Sequence, residues 1–174
     1  MSAFNAKPRR VPEFDSESER GEFYRNKALS YLELRMRTEA EVRQYLKDWQ
    51  CPEPLIEETV LFLLDYHYLD DQAFAEAYVR QERELNHRSR RDIQNRLAQR
   101  GIDKETAAQA FTQEEETEAA EVEQARILLE KRLKAGKTDR EKTLGFLQRR
   151  GFSYQTIRRA MEEMEWEVPD EGYF

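Results

Sequence analysis

The stretch Ser89-Arg90-Arg91-Asp92-Ile93-Gln94-Asn95-Arg96-Leu97-Ala98-Gln99-Arg100-Gly101-Ile102-Asp103 encodes a helix with both ends marked. Ser89, with Asp92 three residues on, has the form of a capping box, in which the hydroxyl accepts a free backbone N–H of the first turn. Gly101 can take the left-handed conformation that closes a helix. Ile102 is of a buried type, and Asp103 can start the next helix. The pattern occurs twice more. Thr38-Glu39-Ala40-Glu41 opens a segment with Leu46 in the place of Leu97, followed by Gln50, Cys51 and Pro52. Thr138-Asp139-Arg140-Glu141 opens another, with Leu147, then Gly151, Phe152 and Ser153. Further on, Ile56, Ala107 and Ile157 correspond, as do Val60, Phe111 and Met161. A gapless recurrence at a period of about 50 residues marks a repeat array.

In front of each short pair stands a longer helical segment, expected at about Glu22 to Leu34, Asp70 to Asn86 and Ala119 to Lys134. The apolar spacing is that of one-faced helices: Leu29, Leu32, Met36; Leu55, Ile56, Val60, Leu63, Leu64; Phe74, Ala77, Tyr78, Leu85; Val122, Ala125, Leu129; Ile157, Ala160, Met161, Met164. No proline occurs between Pro54 and Pro169, and no segment alternates as a strand does. The expected fold is therefore all-α: three tandem three-helix repeats, elongated and curved. The repeats are expected at residues 22–69, 70–116 and 117–165. A disordered tail is expected over 1–21 and a short second tail over 166–174. A unit of this size buries little alone, so stacking on its neighbours should carry much of its stability.

Composition agrees with a thin helical array. The chain is 37% charged with a mean hydropathy of −0.98, so it can fold only with its apolar residues gathered on stripes. Its single cysteine, Cys51, excludes an intramolecular disulfide and suits a reducing cytoplasm. No apolar run resembles a signal peptide or a membrane span, so a cytoplasmic, monomeric protein without membrane contact is expected.

The inventory for catalysis is poor. His67 and His87 are isolated; His67 reads as a packing residue at a helix end. One cysteine cannot supply a zinc site, and six scattered glycines form no phosphate loop. Asp70-Asp71 reads as a helix start, with Asp70 as the cap and Asp71 favouring the positive end, rather than as a metal pair. No enzyme activity and no cofactor are expected.

The charge pattern is more informative. Arg80, Arg83, Arg88, Arg90, Arg91, Arg96 and Arg100 are opposed over the same stretch by Glu82, Glu84 and Asp92 alone. An acidic run from Glu114 to Glu121 follows, and the third repeat is basic again. Most such charges form solvated helix faces. Arg88, Arg90 and Arg91, however, crowd a helix start, where positive charge opposes the helix dipole, and that placement suggests a partner. The candidate contact residues are Arg88, Arg90, Arg91, Arg96 and Arg100, with Arg140, Lys142, Arg149 and Arg150.

Three elements resemble the RecX family of recombinase regulators. Arg35-Met36-Arg37-Thr38-Glu39-Ala40-Glu41-Val42 is similar to the family's R-x-R-[ST]-x-x-E-[LV] opening. Leu69-Asp70-Asp71-Gln72-Ala73-Phe74-Ala75, with Tyr78-Val79-Arg80, resembles its second element. Leu97-Ala98-Gln99-Arg100-Gly101-Ile102 fits L-x-x-[KR]-G-[IV]. The resemblance covers about Asn26 to Glu163 and departs at Gln50, where a glycine is common. It implies three-helix repeats without a catalytic site. It also implies binding to the RecA recombinase filament, across more than one subunit. Restraint of ATP hydrolysis, strand exchange and co-protease activity in recombination, DNA repair and the SOS response would follow. Two other readings stand beside it. A DNA-binding helical protein is disfavoured by the near-neutral Asp103 to Ala110 helix, although weak backbone contact through the arginines is compatible with it. A helical adaptor for another protein would need an apolar groove that this composition hardly supplies.

Overall fold

The computed structural model describes residues 9–112, 115, 117–137 and 139–165. Thr138, the tail expected over 166–174 and part of the acidic run (Glu114, Glu116) lie outside the described residues. Among those described, every regular element is helical: α1 (Glu17–Glu33), α2 (Glu39–Asp48), α3 (Glu53–Asp65), α4 (Asp71–Glu84), α5 (Arg90–Gln99), α6 (Lys104–Gln109), α7 (Glu118–Lys134), α8 (Arg140–Arg149) and α9 (Tyr154–Glu163). This is an all-α repeat fold, with one long and two shorter helices recurring three times.

The starts of these helices follow local chemistry. Thr38 and Glu41 form the full capping box at α2. The Ser89 hydroxyl accepts the Asp92 N–H at 3.1 Å at the head of α5. Asp103 and Ser153 cap α6 and α9. At α8 the cap is Asp139, whose carboxylate accepts the Lys142 N–H at 3.0 Å. Of the tail expected over 1–21, residues 1–8 lie outside the described residues; further on, Ser16 caps α1 and accepts the Glu19 N–H, so that helix opens at Glu17 rather than at Glu22.

The chain forms two compact units. One holds the residues up to Phe74 together with Arg100–Ile102; the other holds Ala75–Gln99 and the residues from Asp103 onward. In the first, α1, α2 and α3 pack around Tyr24, Ala28, Val42, Leu46, Ile56, Val60 and Leu63, all fully buried. In the second, α7 lies along α9 with α8 against both, around Ala125, Leu129, Leu147, Ile157, Ala160 and Met161. Each such leucine, isoleucine or methionine contributes about 1.5–3 kcal/mol by leaving water.

Three expected buried positions are not buried. Met36 and Leu85 are 50% and 68% exposed, because α1 stops at Glu33 and α4 at Glu84, before the stripe reaches them. On α4 the buried face is Phe74, Ala75, Val79, Glu82 and Arg83, so its stripe continues from apolar residues into two charged ones, Glu82 paired with Arg88 and Arg83 paired with Glu121. His67 does sit at a helix end, at φ 57° after α3, but it is exposed, and Leu69 two residues on is the buried residue of this turn.

Candidate partner-binding surface

The basic residues picked out by sequence separate into two groups once their partners are seen. Arg88 lies between two carboxylates: Nε is 2.5 Å from Glu82 and Nη1 is 2.6 Å from Asp92. Arg96 pairs with the same Asp92 at 3.1 Å. Arg100 pairs with Glu41 at 2.7 Å and lies over the Phe74 ring. Arg150 donates to the Asn86 carbonyl oxygen at 2.5 Å and lies over the Phe146 ring. Burial holds its guanidinium below the usual arginine range, and the neighbouring Arg88 charge acts in the same direction. Arg90 is half-buried with its guanidinium over Phe111. These five side chains are engaged inside the fold. Arg91, Arg140, Lys142 and Arg149 are exposed, and Lys142 also pairs with its own cap Asp139 at 2.9 Å.

The positive charge at the start of α5 is balanced by a carboxylate that sequence reading placed elsewhere. Glu121, from the first turn of α7, accepts the Arg90 N–H at 2.9 Å and pairs with Arg83 at 2.5 Å. A carboxylate at a helix start offsets both an open N–H and the crowding of arginines there. The first unit has a counterpart. Asp70 caps its own helix, accepting the Ala73 N–H at 2.8 Å, while Asp71 reaches α2 and accepts the Glu39 N–H at 2.9 Å. Glu39 and Arg90 are the first residues of α2 and α5, so an acid from a following long helix closes a preceding short helix in both places.

Arg83 was not among the sequence candidates and is the most engaged arginine of this region. It is 4% exposed, donates to the Arg88 and Glu115 carbonyl oxygens and pairs with Glu121. A signal was present: Arg83 follows Ala75 and Val79 at steps of four, on the buried face of α4.

The turns that follow the short helices make the remaining contacts of this region. The Thr38 hydroxyl donates to the Arg100 carbonyl oxygen at 2.7 Å, and a Cβ on Gly101 would overlap that of Ala40. In the second unit the Ser89 N–H donates to the Arg150 carbonyl oxygen at 3.4 Å, and a Cβ on Gly151 would overlap the Ser89 hydroxyl. The turn of one repeat thus seats on the helix cap of the repeat before it. Gln50, Gly101 and Gly151 all have φ in the left-handed region, at 57°, 85° and 87°.

Nothing among the described residues assembles a metal site of three or more His, Cys, Asp or Glu side chains, and no described helix is long and apolar enough to cross a membrane.

Comparison with known proteins places this architecture. Residues 25–63 match the first three-helix domain of RecX, residues 70–110 the second and residues 119–161 the third. Over 150 residues the chain is 36% identical to the "Regulatory protein RecX" of Bacillus velezensis, covering 84% of this chain and 57% of that protein. With that of Bacillus subtilis the identity is 34% over 145 residues, covering 82% and 55% respectively. The chain thus spans little more than half the length of these relatives. A crystal structure of RecX from Lactobacillus salivarius superposes with a TM-score of 0.74 at 28% identity, covering 85% of this chain and 98% of that one. A second crystal structure, of a regulatory protein RecX, gives 0.71 at 25% identity, covering 88% and 81%. With all three three-helix domains matched in order along its length, the chain belongs to the RecX family.

Proposed function

We propose that this chain is a regulatory protein that binds the RecA recombinase filament and mainly inhibits its ATPase, strand-exchange and co-protease activities, in recombination, DNA repair and the SOS response. The observation that carries this reading is the ordered match of all three RecX domains, together with relatives named as regulatory proteins. The protein acts as a cytoplasmic monomer whose repeats, residues 22–69, 70–116 and 117–165, each offer part of the contact surface. Contacts linked on one chain gain effective concentration, so patches that are weak singly give useful avidity together.

Within the nine candidate residues the contact falls to Arg91, Arg140, Lys142 and Arg149, whose side chains are exposed. Arg88, Arg90, Arg96, Arg100 and Arg150 shape the surface through internal contacts. Charge complementarity at such a surface sets on-rate and register more than affinity.

The test is DNA-dependent ATP hydrolysis by RecA with this protein titrated in. Inhibition at well below one copy per recombinase subunit supports filament binding, because each bound copy then affects many subunits. Folded protein without effect at excess overturns the reading.

A further inference from the structure

Apolar side chains exposed singly are ordinary on a protein surface, but a contiguous group of them marks a contact. The first unit carries such a group. On α3, Glu58, Leu61, Phe62 and Asp65 stand at i, i+3, i+4 and i+7, on the face opposite the buried Ile56, Val60 and Leu63. Tyr66 follows Phe62 by one more turn, with ring centroids 4.7 Å apart. The chain then reverses at His67, and Tyr68 returns to the same Phe62 ring at 6.4 Å. That reversal is fixed: the Tyr68 and Leu69 N–H groups both donate to the Leu63 carbonyl oxygen, at 2.8 and 3.1 Å, and Leu69 is buried. Leu61, Tyr66 and Tyr68 nevertheless each keep more than half of their surface exposed. From α1, the Arg25 guanidinium lies 5.7 Å from the centroid of the Phe62 ring.

The charges on this face select its occupant. Glu57, beside it, is held by Arg43. Glu58 and Asp65 are exposed and, among the described residues, pair with no cation. A two-fold pairing with a second copy would set these acids against each other. A nucleic acid would bring its phosphates to the same two carboxylates. A cationic side chain finds both things it needs: an unpaired carboxylate, and an aromatic face of the kind Arg25 already occupies. Rings held by a fixed turn also lose little freedom when a contact forms.

We propose that the outer face of α3, with Leu61, Phe62, Tyr66 and Tyr68 beside Glu58 and Asp65, docks a partner polypeptide segment that carries arginine or lysine next to an apolar side chain. The apolar side chain covers Leu61 and the three rings. The cations reach Asp65 and Glu58 and lie on the open faces of Tyr66 and Tyr68. The aromatic anchors supply most of the affinity, and the acids set the register. The proposal is independent of the recombinase reading and uses none of the basic residues assigned to it.

The test uses the full chain, isotope-labelled, and two acetylated twelve-residue peptides followed by NMR. One is three Arg-Leu-Ala-Arg units, and the other has glutamate in place of arginine. The arginine peptide should move the signals of Arg25 and of Leu61 to Tyr68, and the glutamate peptide should not. Tyr66→Ala with Tyr68→Ala should weaken binding at least about tenfold. Tyr66→Phe with Tyr68→Phe, which keeps both rings, should bind as the parent does. Glu58→Lys with Asp65→Lys should weaken binding at least about tenfold, with an unchanged melt because both positions are exposed. The absence of any shift at millimolar arginine peptide overturns the proposal, as do shifts confined to other residues. So does equal binding by the double-alanine variant, or by an oligolysine of the same length, which would mark general attraction of cations to a chain of net charge −7. A concentration-dependent dimer that the double-alanine variant disperses would give the face to a second copy and overturn it as well.

Discussion

The Thr38 hydroxyl and the Arg100 carbonyl oxygen, sixty-two residues apart in sequence, are joined at 2.7 Å. Thr38 is also the cap of α2, accepting the Glu41 N–H at 3.1 Å, so one hydroxyl closes its own helix and seats the turn of the next repeat. Ser89 stands in the equivalent place, with its N–H on the Arg150 carbonyl oxygen and its hydroxyl on the Asp92 N–H. A residue type selected as a helix cap is therefore also the seat of a repeat joint, and glycine follows Arg100 and Arg150 because the seat leaves no space for a side chain.

Gly101→Ala and Gly151→Ala should each destabilise the protein by about 2–4 kcal/mol, since both the left-handed backbone and the overlap with Ala40 or Ser89 oppose a Cβ. Gln50→Gly should be neutral or stabilise by up to about 1 kcal/mol, because it relieves a non-glycine residue at φ 57°. Urea unfolding of the three variants measures both, and an unperturbed Gly151→Ala would contradict the joint.

Arg83→Ala should cost about 3–5 kcal/mol, as it leaves Glu121 without its buried partner. Arg91→Ala, at an exposed position, should stay within about 0.5 kcal/mol of the parent. Thermal melts of the two decide whether sequence proximity or burial governs the arginine cluster.

Asp70→Ala and Asp71→Ala should both destabilise, by about 1 kcal/mol each, but at different helices. Hydrogen exchange should show the loss of Asp70 at the start of α4, and the loss of Asp71 at Glu39 in α2. Protection at Glu39 that survives Asp71→Ala would remove the long-range role.

The combined Arg91→Glu and Arg149→Glu variant should lose inhibition of the recombinase by tenfold or more with an intact fold, as reversal of rim charges slows association (roughly ten- to a hundredfold). Arg88→Glu should lower stability instead, because it sets a third acid between Glu82 and Asp92. Full inhibition by the double variant would move the contact away from these residues.

Burial pushes the Cys51 thiol up to about 12. The unfolded thiol ionises near 8.5, so between about pH 8.5 and 12 the unfolded chain loses a proton that the folded chain keeps. This contribution is fully present below pH 8.5 and is lost as pH rises. Stability of the parent should thus fall more between pH 8 and pH 10.5 than that of Cys51→Ala, and the folded thiol should resist alkylation at pH 8. Rapid alkylation without unfolding would refute it.

Sequence by itself determined the helical class, the threefold recurrence and most helix starts. Each of those is local: Thr38 with Glu41, Ser89 with Asp92 and Gly101 after Arg100 lie within a few residues of one another, and a stripe such as Ile157, Ala160, Met161 depends only on helical period. The resemblance to a family was legible for the same reason. What only the tertiary structure decided is which charges are left over. Arg88, Arg91 and Arg149 look alike along the chain, yet Arg88 is held between Glu82 and Asp92 while the other two are exposed. Asp71 and Glu121 look like dipole-friendly acids on their own helices, yet each closes a helix about thirty residues earlier in the chain. Propensity and period act along the backbone. An ion pair is made by whichever opposite charge the packing brings within about 4 Å, and no local pattern encodes that distance.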